Sequence, residues 1–467
     1  MHDLVVRNVL VHGRGLVDVG VRGGVIGMIE PVARTPGRRL TGHSVVDGDG
    51  ALMVPGLHDH HIHLLATAAA AASVDVGPDA VADAAALGAM LRGAPRPDGW
   101  VRAIGYHETT AGDLDRDALD LLAGDRPVRV QHRSGARWTL NSAAIAALDL
   151  DDAEHHGLER DGDRLTGRIH RGDDWLRARL GGEVPDLGGL GRALIDWGVT
   201  GVTDTTPYRT RADLAALARA AGDGRLPLRV TVTGDHHLAR TEMPQPLRRG
   251  PVKVVIDDVD LPALDAVVEQ FGIAHGAGRP VAVHIVTLPA LLLALAAWDD
   301  AGAWPGDRIE HGAVIPPDQF PRLAHHGLTV VTQPAFVAER GDRYLTDVDP
   351  RDVDHLYPCA ALVTAGVRVA AGSDAPYAAA NPWEAIHAAI ERRTRRGALV
   401  GAGERLDAQR ALALFHGTAE DPGGPARRVA PGEPADLCLI EPEWAGRANP
   451  VYGVVLAGQW YPGSNRR

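Results

Sequence analysis

Short apolar runs alternate with helix-patterned stretches through the middle of this chain, and this alternation limits the fold more than any other feature. It is the pattern of parallel βαβ units. Eight runs are predicted as strands: Ala51–His58, Thr200–Asp204, Leu228–Thr233, Val252–Ile256, Val281–Ile285, Arg308–His311, Thr329–Gln333 and Val367–Ser373. Because eight parallel strands close on themselves, the sequence predicts an α/β fold built on a (β/α)8 barrel of the TIM type.

Two further regions accompany the predicted barrel. Similar strand-and-turn patterns occur at residues 1–52 and 424–467, and we expect both termini to build one small β-sandwich. The barrel then takes residues 53–423. The gap after its first strand, about 65–198, is too long for a loop, so we expect an insertion with structure of its own over the barrel mouth.

Composition excludes several classes of partner. The net charge is -12 and no basic run is clustered, which argues against nucleic acid and against an anionic membrane surface. No apolar run approaches the ~20 residues of a membrane span, and the start lacks the pattern of a secretory signal. Cys359 and Cys438 offer no disulfide framework. We therefore expect a cytoplasmic protein with a small-molecule partner, and a homo-oligomer is left open.

Four histidines occur within six residues at the end of the first predicted strand. Alternate residues of an extended strand share a face, so His61 and His63 can bind one ion, whereas His58 and His60 face away and are expected to pack. Imidazole suits zinc and its first-row neighbours. The pair alone fits structural histidines as well, and a metal site needs further ligands.

Three further candidate ligands follow other predicted strands. His284 ends the fifth strand, His311 ends the sixth and Asp374 follows the eighth. Barrel enzymes keep their chemistry at the carboxyl ends of the strands. Each residue alone fits a buried structural role, but together they predict a metal site at one end of the barrel.

The chain has a single lysine, Lys253, although lysine and arginine together number 48. It lies among apolar residues of the fourth predicted strand, where burial favours the neutral amine. A neutral amine can react with carbon dioxide to give a carbamate, whose two oxygens can bridge two cations. Arginine stays protonated and offers no equivalent. An incidental lysine or a simple ion pair is the alternative.

These residues together resemble the amidohydrolase superfamily, in its branch of N-substituted formamide deformylase-like proteins (family 3 type). The resemblance runs over nearly the whole chain. The motifs that carry it are His61-x-His63, Lys253, His284, Arg308-Ile-Glu-His311, Thr332-Gln-Pro334, Gly-Ser-Asp374-Ala-Pro, Arg7-Asn8, Gly135 to Ser142, and Gly432-Glu-Pro-Ala-Asp436.

The resemblance implies a divalent-metal centre, with two zinc ions or other first-row metals. His61 and His63 would bind the more buried ion, His284 and His311 the more exposed one, and a carbamylated Lys253 would bridge them. Asp374 would ligate the buried ion and act as general acid and base. The implied reaction is hydrolysis of a non-peptide carbon–nitrogen bond in an amide, N-formyl or N-acyl compound by a metal-activated hydroxide.

Two departures from the family pattern concern the substrate. Relatives commonly have a histidine where this chain has Ala136, and they run Ala-Ile-Gly-Asp where this chain has Ile285-Val-Thr287. The predicted substrate contacts are therefore chosen from this chain's own residues: Arg340, Gln333 on the seventh strand and Trp138 in the insertion. For each of the three, a structural salt bridge or packing is the alternative. An arginine at the mouth would favour a carboxylate-bearing substrate.

Two other functions remain open at this stage. The same metal centre could serve deamination, cyclic-amide opening, decarboxylation or isomerisation, because the fold alone does not determine which reaction an enzyme catalyses. A non-catalytic binding protein could also reuse the barrel. Loss of ligands would mark that case, and the sequence retains all six.

Overall fold

The computed structural model describes residues 2–32, 40–94, 99–181, 184–256 and 260–464. The chain forms two compact units, one comprising Met1–Leu64 with Leu187–Arg467 and the other comprising Leu65–Asp186. The insertion predicted over about 65–198 thus ends at Asp186. Residues 187–198 belong to the first unit, because the helix Gly188–Asp196 packs against the barrel and buries Leu194 there.

The strands of the described ranges form three sheets. In chain order they are, in the amino-terminal region, β1 His2–Val11, β2 Gly15–Arg22, β3 Val25–Pro31, β4 Gly42–Asp47 and β5 Leu52–Pro55; then β6 Leu57–Ile62; in the insertion, β7 Val74–Asp75, β8 Val101–Tyr106, β9 Val128–His132, β10 Arg137–Leu140, β11 Leu158–Asp161 and β12 Arg164–His170; then β13 Val199–Asp204, β14 Arg229–Gly234, β15 Arg248–Val255, β16 Val281–Ile285, β17 Arg308–His311, β18 Thr329–Thr332 and β19 Arg368–Ala371; and last β20 Leu437–Ile440, β21 Val451–Leu456 and β22 Gln459–Pro462.

Helices connect these strands. They are α1 Leu64–Ala71, α2 Ala84–Gly93, α3 Glu108–Ala111, α4 Arg116–Ala123, α5 Ser142–Ala147, α6 Asp173–Arg179, α7 Gly188–Asp196, α8 Arg211–Gly222, α9 Leu264–Gly276, α10 Leu288–Ala301, α11 Phe320–His325, α12 Ala335–Asp347, α13 Pro350–Val353, α14 Ala360–Thr364, α15 Pro382–Glu391 and α16 Ala408–Ala413, with 3-10 turns at His236–Arg240, Pro317–Gln319 and Ala402–Glu404. Of the helices in the described ranges, none combines the length and apolar character that crossing a membrane requires.

The barrel predicted from the alternating pattern is confirmed. Strands β6 and β13 to β19 pair in parallel, in the order β19-β18-β17-β16-β15-β14-β13-β6. Apolar side chains on the helix-facing side of the strands pack against α9, α10 and α11, with Trp298 and Phe271 buried among them. Seven of the predicted strands occur within four residues of their expected ends.

The first predicted strand, Ala51–His58, is wrong in its extent. The structure has two strands there, β5 in the terminal sheet and β6 in the barrel, separated by Gly56. A side chain at Gly56 would lie 2.2 Å from Thr200, so the chain can change sheets only where no Cβ is present. The barrel strand therefore starts later than its apolar residues suggested, and its six residues are all buried, including three of the histidines.

The terminal strands and the insertion build the other two sheets. Strands from both ends of the chain join in one eight-stranded sheet, with β5, β1 and β20 at its centre and buried Val6, Val19, Met53 and Leu437 in its core. Its division into the two layers of a sandwich stays a prediction. The insertion holds a six-stranded sheet, β11-β12-β10-β9-β8-β7, with its own buried clusters.

The barrel closes where the end of β19 meets β6. Two main-chain hydrogen bonds cross this seam, from Asp374 N to His61 O at 2.7 Å and from His63 N to Ala375 O at 2.9 Å. The buried Asp59 carboxylate accepts Ser373 N at 3.0 Å and Ser373 Oγ at 2.6 Å. The seam thus fixes the backbone of two histidines and an aspartate in one place.

Gly372 permits this close approach. A Cβ on Gly372 would lie 2.4 Å from His61 N. This is a main-chain atom, so relieving the clash would require the backbone to shift. We expect Gly372→Ala to force the seam apart, to lower the free energy of unfolding by about 1–3 kcal/mol and to reduce metal retention. Thermal melting and metal analysis check both effects.

Gly272→Ala is the matched control for this substitution. Gly272 lies inside α9, and a Cβ there would meet nothing within 4 Å, so alanine should be neutral or stabilising by up to about 1 kcal/mol. A Gly372→Ala protein that melts and retains metal like the wild type would contradict the close-approach argument.

Candidate metal centre

All six predicted ligands come together at the carboxyl ends of the barrel strands. His61 lies on β6 and His63 just after it, Lys253 on β15, His284 on β16, His311 at the end of β17, and Asp374 beyond β19. The carboxyl ends of parallel barrel strands surround one mouth, so these side chains share one site.

His61, His63 and Asp374 form the tightest group. Asp374 Oδ1 lies 3.3 Å from His61 Nε2 and 3.1 Å from His63 Nε2, and one ligand atom from each residue lies within 4.8 Å of the others. His311 joins this group, with its ring centroid 4.7 Å from that of His61. The ring of His284 lies 4.5 Å from that of His311, so the two sets of histidines are continuous.

The Nδ1 atoms of three of the histidines are held by acceptors. Glu310 Oε2 lies 2.5 Å from His61 Nδ1, and Gln333 Oε1 lies 2.8 Å from His311 Nδ1. Each Nδ1 therefore carries the proton and donates it. Each Nε2 is consequently left with a lone pair.

His63 Nδ1 also donates its proton, in this case to the Thr206 hydroxyl. The Thr206 hydroxyl donates to Asp204 Oδ1 at 2.8 Å, so its oxygen is left to accept from His63 Nδ1 at 3.1 Å. The Nε2 lone pair of His63 then faces the Asp374 carboxylate.

This arrangement fits a bound cation. Lone pairs of His61 and His63 and a carboxylate oxygen converge in a buried space, and neither His61 Nε2 nor Asp374 Oδ1 has a hydrogen-bond partner among the described residues. Converging acceptors without a proton between them repel one another, whereas a divalent metal satisfies them all. Nitrogen and oxygen donors of this kind suit zinc and other first-row metals.

The electrostatics of the other ligands agree with metal binding. Burial, followed by the charge of Lys253, lowers the pKa of His284 to about 3, and burial and His284 lower the pKa of His311 well below its ordinary value. Both imidazoles are therefore neutral near pH 7, which is the form that coordinates metals.

Lys253 is buried, as its apolar neighbours in the sequence predicted. It is 6% exposed, and its Nζ has no hydrogen-bond partner within the described ranges. Burial lowers the pKa of this amine, although Glu310 and Asp374 partly oppose the shift. The same lysine influences the pKa values of His61, His284 and His311, so it lies within electrostatic range of the ligand set.

Two of the predicted ligands sit on a left-handed backbone. The φ angles are +72° at His311 and +54° at Asp374. Such conformations cost about 1–3 kcal/mol for a residue with a side chain and persist only when the surroundings impose them. Both strained residues are at the site, where the turns after β17 and β19 direct them to the barrel mouth.

Sequence reasoning missed the residues that hold the histidines. Glu310 is fully buried, receives Arg308 Nε at 2.7 Å on its other oxygen, and contacts His61 across the barrel interior. Burial raises the pKa of Glu310, but Arg308 and His61 outweigh it, so the net pKa is well below the usual value. The alternation Arg308-x-Glu310 before His311 was the available signal. Thr206 had none, because its role depends on the turn after β13.

The three predicted substrate contacts have different surroundings. Arg340 Nη2 donates to Tyr377 O at 2.5 Å, and its guanidinium lies 4.2 Å from the Phe336 ring. Gln333 is fully buried and holds His311, which is a positioning contact. Trp138 is 4% exposed, donates its indole N–H to Asp173 and lies in a core cluster of the insertion unit. A substrate role for each of them stays a prediction.

A second His–Glu–His group occurs in the insertion unit, but its hydrogen bonds do not suit a metal. His107 Nδ1 accepts the N–H of Thr109 at 3.1 Å, and His132 Nδ1 accepts that of Ser134 at 3.2 Å. Each Nε2 therefore carries the proton and faces Glu108 at 3.5 and 3.2 Å. The carboxylate already has donors, so the group is a closed network.

Comparisons with known proteins agree with this interpretation of the barrel. A family model described as "Amidohydrolase family" matches residues 44–460. N-substituted formamide deformylase from Arthrobacter pascens is 25% identical over 491 residues, which cover 90% of this chain and 89% of that protein.

Two solved structures share the fold. An uncharacterized metal-dependent hydrolase from Pyrococcus horikoshii OT3 matches with a TM-score of 0.71 at 19% identity, over 94% of this chain and 97% of that one. A mutant atrazine chlorohydrolase from Arthrobacter aurescens TC1, complexed with zinc and atraton, matches with a TM-score of 0.56 at 15% identity, over 99% and 96% of the two chains.

A (β/α)8 barrel that gathers histidines, a lysine and an aspartate at its mouth defines the class of metal-dependent hydrolases. The chain belongs to the amidohydrolase family, whose model covers most of its length, and it is an enzyme that hydrolyses carbon–nitrogen bonds other than peptide bonds. The resemblance seen in the sequence motifs is thereby confirmed.

The contact between Glu310 and His61 can be tested by removing it. Because Glu310→Leu alone would leave Arg308 buried without a partner, and glutamine would keep an oxygen that accepts from His61 Nδ1, the variant of choice is Arg308→Met with Glu310→Leu. We expect its metal affinity to fall by about 10- to 100-fold, since His61 loses the group that fixes its ring. Competition with a chelator measures this affinity.

Glu384→Gln serves as the control, since this exposed carboxylate on α15 interacts with Glu339 and Arg395 and not with the predicted ligands. Its metal affinity should equal that of the wild type. Unchanged affinity in the double variant would contradict the positioning role of Glu310.

Proposed function

We propose that this enzyme hydrolyses the amide bond of a small N-formyl or N-acyl amine at a two-metal centre held by His61, His63, Lys253, His284, His311 and Asp374. The observation that carries the proposal is the convergence of His61 Nε2 and His63 Nε2 on the Asp374 carboxylate in a buried space. The formamide deformylase from Arthrobacter pascens supports the substrate class, and the zinc of the atrazine chlorohydrolase complex supports zinc.

The bound metals would lower the pKa of a coordinated water and polarise the scissile carbonyl. Groups of the protein itself would orient the ligands and transfer the proton. The Nδ1 contacts of the histidines would hold the ligand rings in one orientation throughout the reaction.

Asp374 is proposed as the group that moves the proton. A carbon–nitrogen bond breaks readily only if the leaving nitrogen is protonated, so a base must take a proton from the attacking water and return it to the amine. Two observations support this role: Asp374 contacts both His61 and His63, and it is 5% exposed, so its carboxylate is beside the proposed metal ligands and away from bulk water.

Lys253 is proposed as the bridging ligand after carbamylation. The neutral amine forms a nitrogen–carbon bond to carbon dioxide and loses one proton, which leaves an anionic carbamate with two oxygens. Burial of Lys253 and its lowered pKa favour the neutral amine that this step requires.

Replacing Lys253 tests the bridge. In both Lys253→Arg and Lys253→Met the carbamate cannot form, so we expect metal content to drop to one equivalent or less and turnover to fall by at least about 1000-fold. Metal analysis and circular dichroism on each variant separate metal loss from unfolding. A Lys253→Met protein that keeps wild-type metal content would show that the lysine is incidental.

A substrate screen tests the reaction class. Linear N-formyl and N-acyl amines, lactams and aminated heterocycles are incubated with the enzyme, with Asp374→Asn as the inactive reference. We expect turnover of the linear amides and release of formate or another carboxylate. Turnover confined to heterocycles or lactams would replace this proposal with deamination or ring opening, and no turnover of any class by metal-loaded enzyme would favour a binding protein.

Arg340 is proposed to select substrates that bear a carboxylate. Its guanidinium donates to the carbonyl of Tyr377, whose ring lies 5.7 Å from that of His63, so the positive charge is close to the ligand set. We expect Arg340→Gln to raise KM by about 10- to 100-fold for a carboxylate-bearing N-formyl amine and to leave the KM of an uncharged one within about twofold.

Arg343→Gln is the matched control on the same helix, because Arg343 is 40% exposed and pairs with Asp347. It should leave both KM values unchanged. Equal losses for charged and uncharged substrates in Arg340→Gln would indicate a structural role for Arg340.

A further inference from the structure

A charged cavity lies at the amino-terminal ends of the barrel strands, opposite the metal centre. Its volume is about 410 Å³. One wall is formed by the starts of β6, β14 and β15, and the other by the β2–β3 turn at Gly23–Val25 and the β21–β22 turn at Ala457. The cavity therefore separates the barrel from the terminal sheet within one compact unit.

Arginines dominate the lining of this cavity. Four of them, Arg229, Arg248, Arg427 and Arg428, face three carboxylates, Glu420, Glu433 and Asp436. In a chain whose net charge is -12, this is a local excess of positive charge. Its value as a binding site depends on which of these charges are already neutralised.

The carboxylates neutralise two of the arginines only. Asp436 is held by Arg229 through two nitrogens and also accepts the N–H of Ala457 at 2.9 Å. Arg248 reaches Glu420 at 3.5 Å, with both side chains more than half exposed, which is a weak surface contact. Arg427 and Arg428 form no ion pair in the described part of the chain, although Asp436, which Arg229 holds, is within electrostatic range of Arg427.

Arg427 is held by main-chain carbonyls and forms no ion pair with a carboxylate among the described residues. Its Nε donates to His416 O and Gly417 O, both at 3.2 Å, and its Nη2 donates to Gly56 O. These carbonyls fix the guanidinium in place without cancelling its charge, and Nη1 has no hydrogen-bond partner among the residues the structure describes. A fixed guanidinium with a free nitrogen is ready to receive an oxyanion at little entropic cost.

Thr231 adds a hydroxyl to the lining of this cavity. The residue is 4% exposed, and its side chain makes no hydrogen bond within the described ranges. The hydroxyl can be reached from the cavity, so it can form a hydrogen bond with a ligand oxygen there.

We propose that this cavity is a second ligand site, which binds a small molecule bearing a phosphate or carboxylate group between the barrel and the terminal sheet. The cavity volume falls in the range of about 300–1,000 Å³ that small-molecule sites occupy. The ligand's oxyanion would lie on Arg427, Arg248 and Arg428, with the Thr231 hydroxyl as a further donor. Because it would contact both walls, its binding would stabilise their association.

The alternative is that the arginines only tie the terminal sheet to the barrel. This accounts for Arg229, which holds Asp436, and for the Arg427 contacts to main-chain carbonyls. It does not account for Arg248, whose contact is weak, or for Arg428, which is exposed and makes no hydrogen bond or ion pair in the described part of the chain. These two arginines therefore distinguish the proposals.

Calorimetric titration of the full chain with inorganic phosphate, and separately with succinate at matched ionic strength, tests the site. We expect saturable binding of at least one probe, and a dissociation constant raised about 10-fold or more in Arg248→Gln/Arg428→Gln. Both positions are exposed, and a melting curve without ligand checks that the variant is folded.

Arg410→Gln is the matched control, because Arg410 is 65% exposed and lies 3.4 Å from Asp407 outside the cavity. It should bind the probe like the wild type. Binding of phosphate alone would assign phosphate chemistry to the site, and binding of succinate alone would assign carboxylate chemistry.

Two results would overturn the proposal. One is the absence of saturable binding of either probe with a dissociation constant below about 10 mM. The other is binding that Arg248→Gln/Arg428→Gln leaves intact, since the anion would then lie elsewhere, including at the metal centre.

Discussion

The convergence of His61 Nε2, His63 Nε2 and the Asp374 carboxylate in a buried space is the interaction on which the rest of this structure depends. Three electron-rich atoms cannot remain together in a site of low dielectric without a positive charge among them. Burial and Lys253 lower the pKa of His61, yet Glu310 and Asp374 outweigh them and raise it overall. The pocket therefore stabilises positive charge at the point where a metal ion would bind.

Several features of the barrel serve to maintain this convergence. The Nδ1 partners Glu310, Thr206 and Gln333 each fix the orientation and the tautomer of one histidine ring. Residues that are not predicted ligands therefore determine the geometry of the site. The absence of a side chain at Gly372 allows the last strand to approach the first, and hydrogen bonds across that seam join Asp374 to the histidine strand. The left-handed backbone at Asp374 is stabilised by the same hydrogen bonds.

Much of this could be predicted from the sequence, because a barrel places the ends of its strands around one mouth. The positions of His284, His311 and Asp374 followed from the predicted strand ends, and Lys253 was singled out because it is the only lysine in the sequence. The start of β6 did not, since buried histidines conceal a strand from any apolar pattern. The limit of the insertion depended on the packing of α7, and the roles of Gln333 and Thr206 depended on hydrogen bonds between distant residues. Trp138 was predicted as a substrate contact, with packing as the alternative, and the structure places it in a core cluster of the insertion unit.

The central claim is that this buried set of acceptors exists to hold metal, and the metal content of the purified enzyme tests it most directly. Elemental analysis after gel filtration in metal-free buffer should find between one and about two equivalents of zinc or another first-row metal per chain. Well under one equivalent, in a folded protein that also fails to take up zinc when it is supplied, would contradict the account.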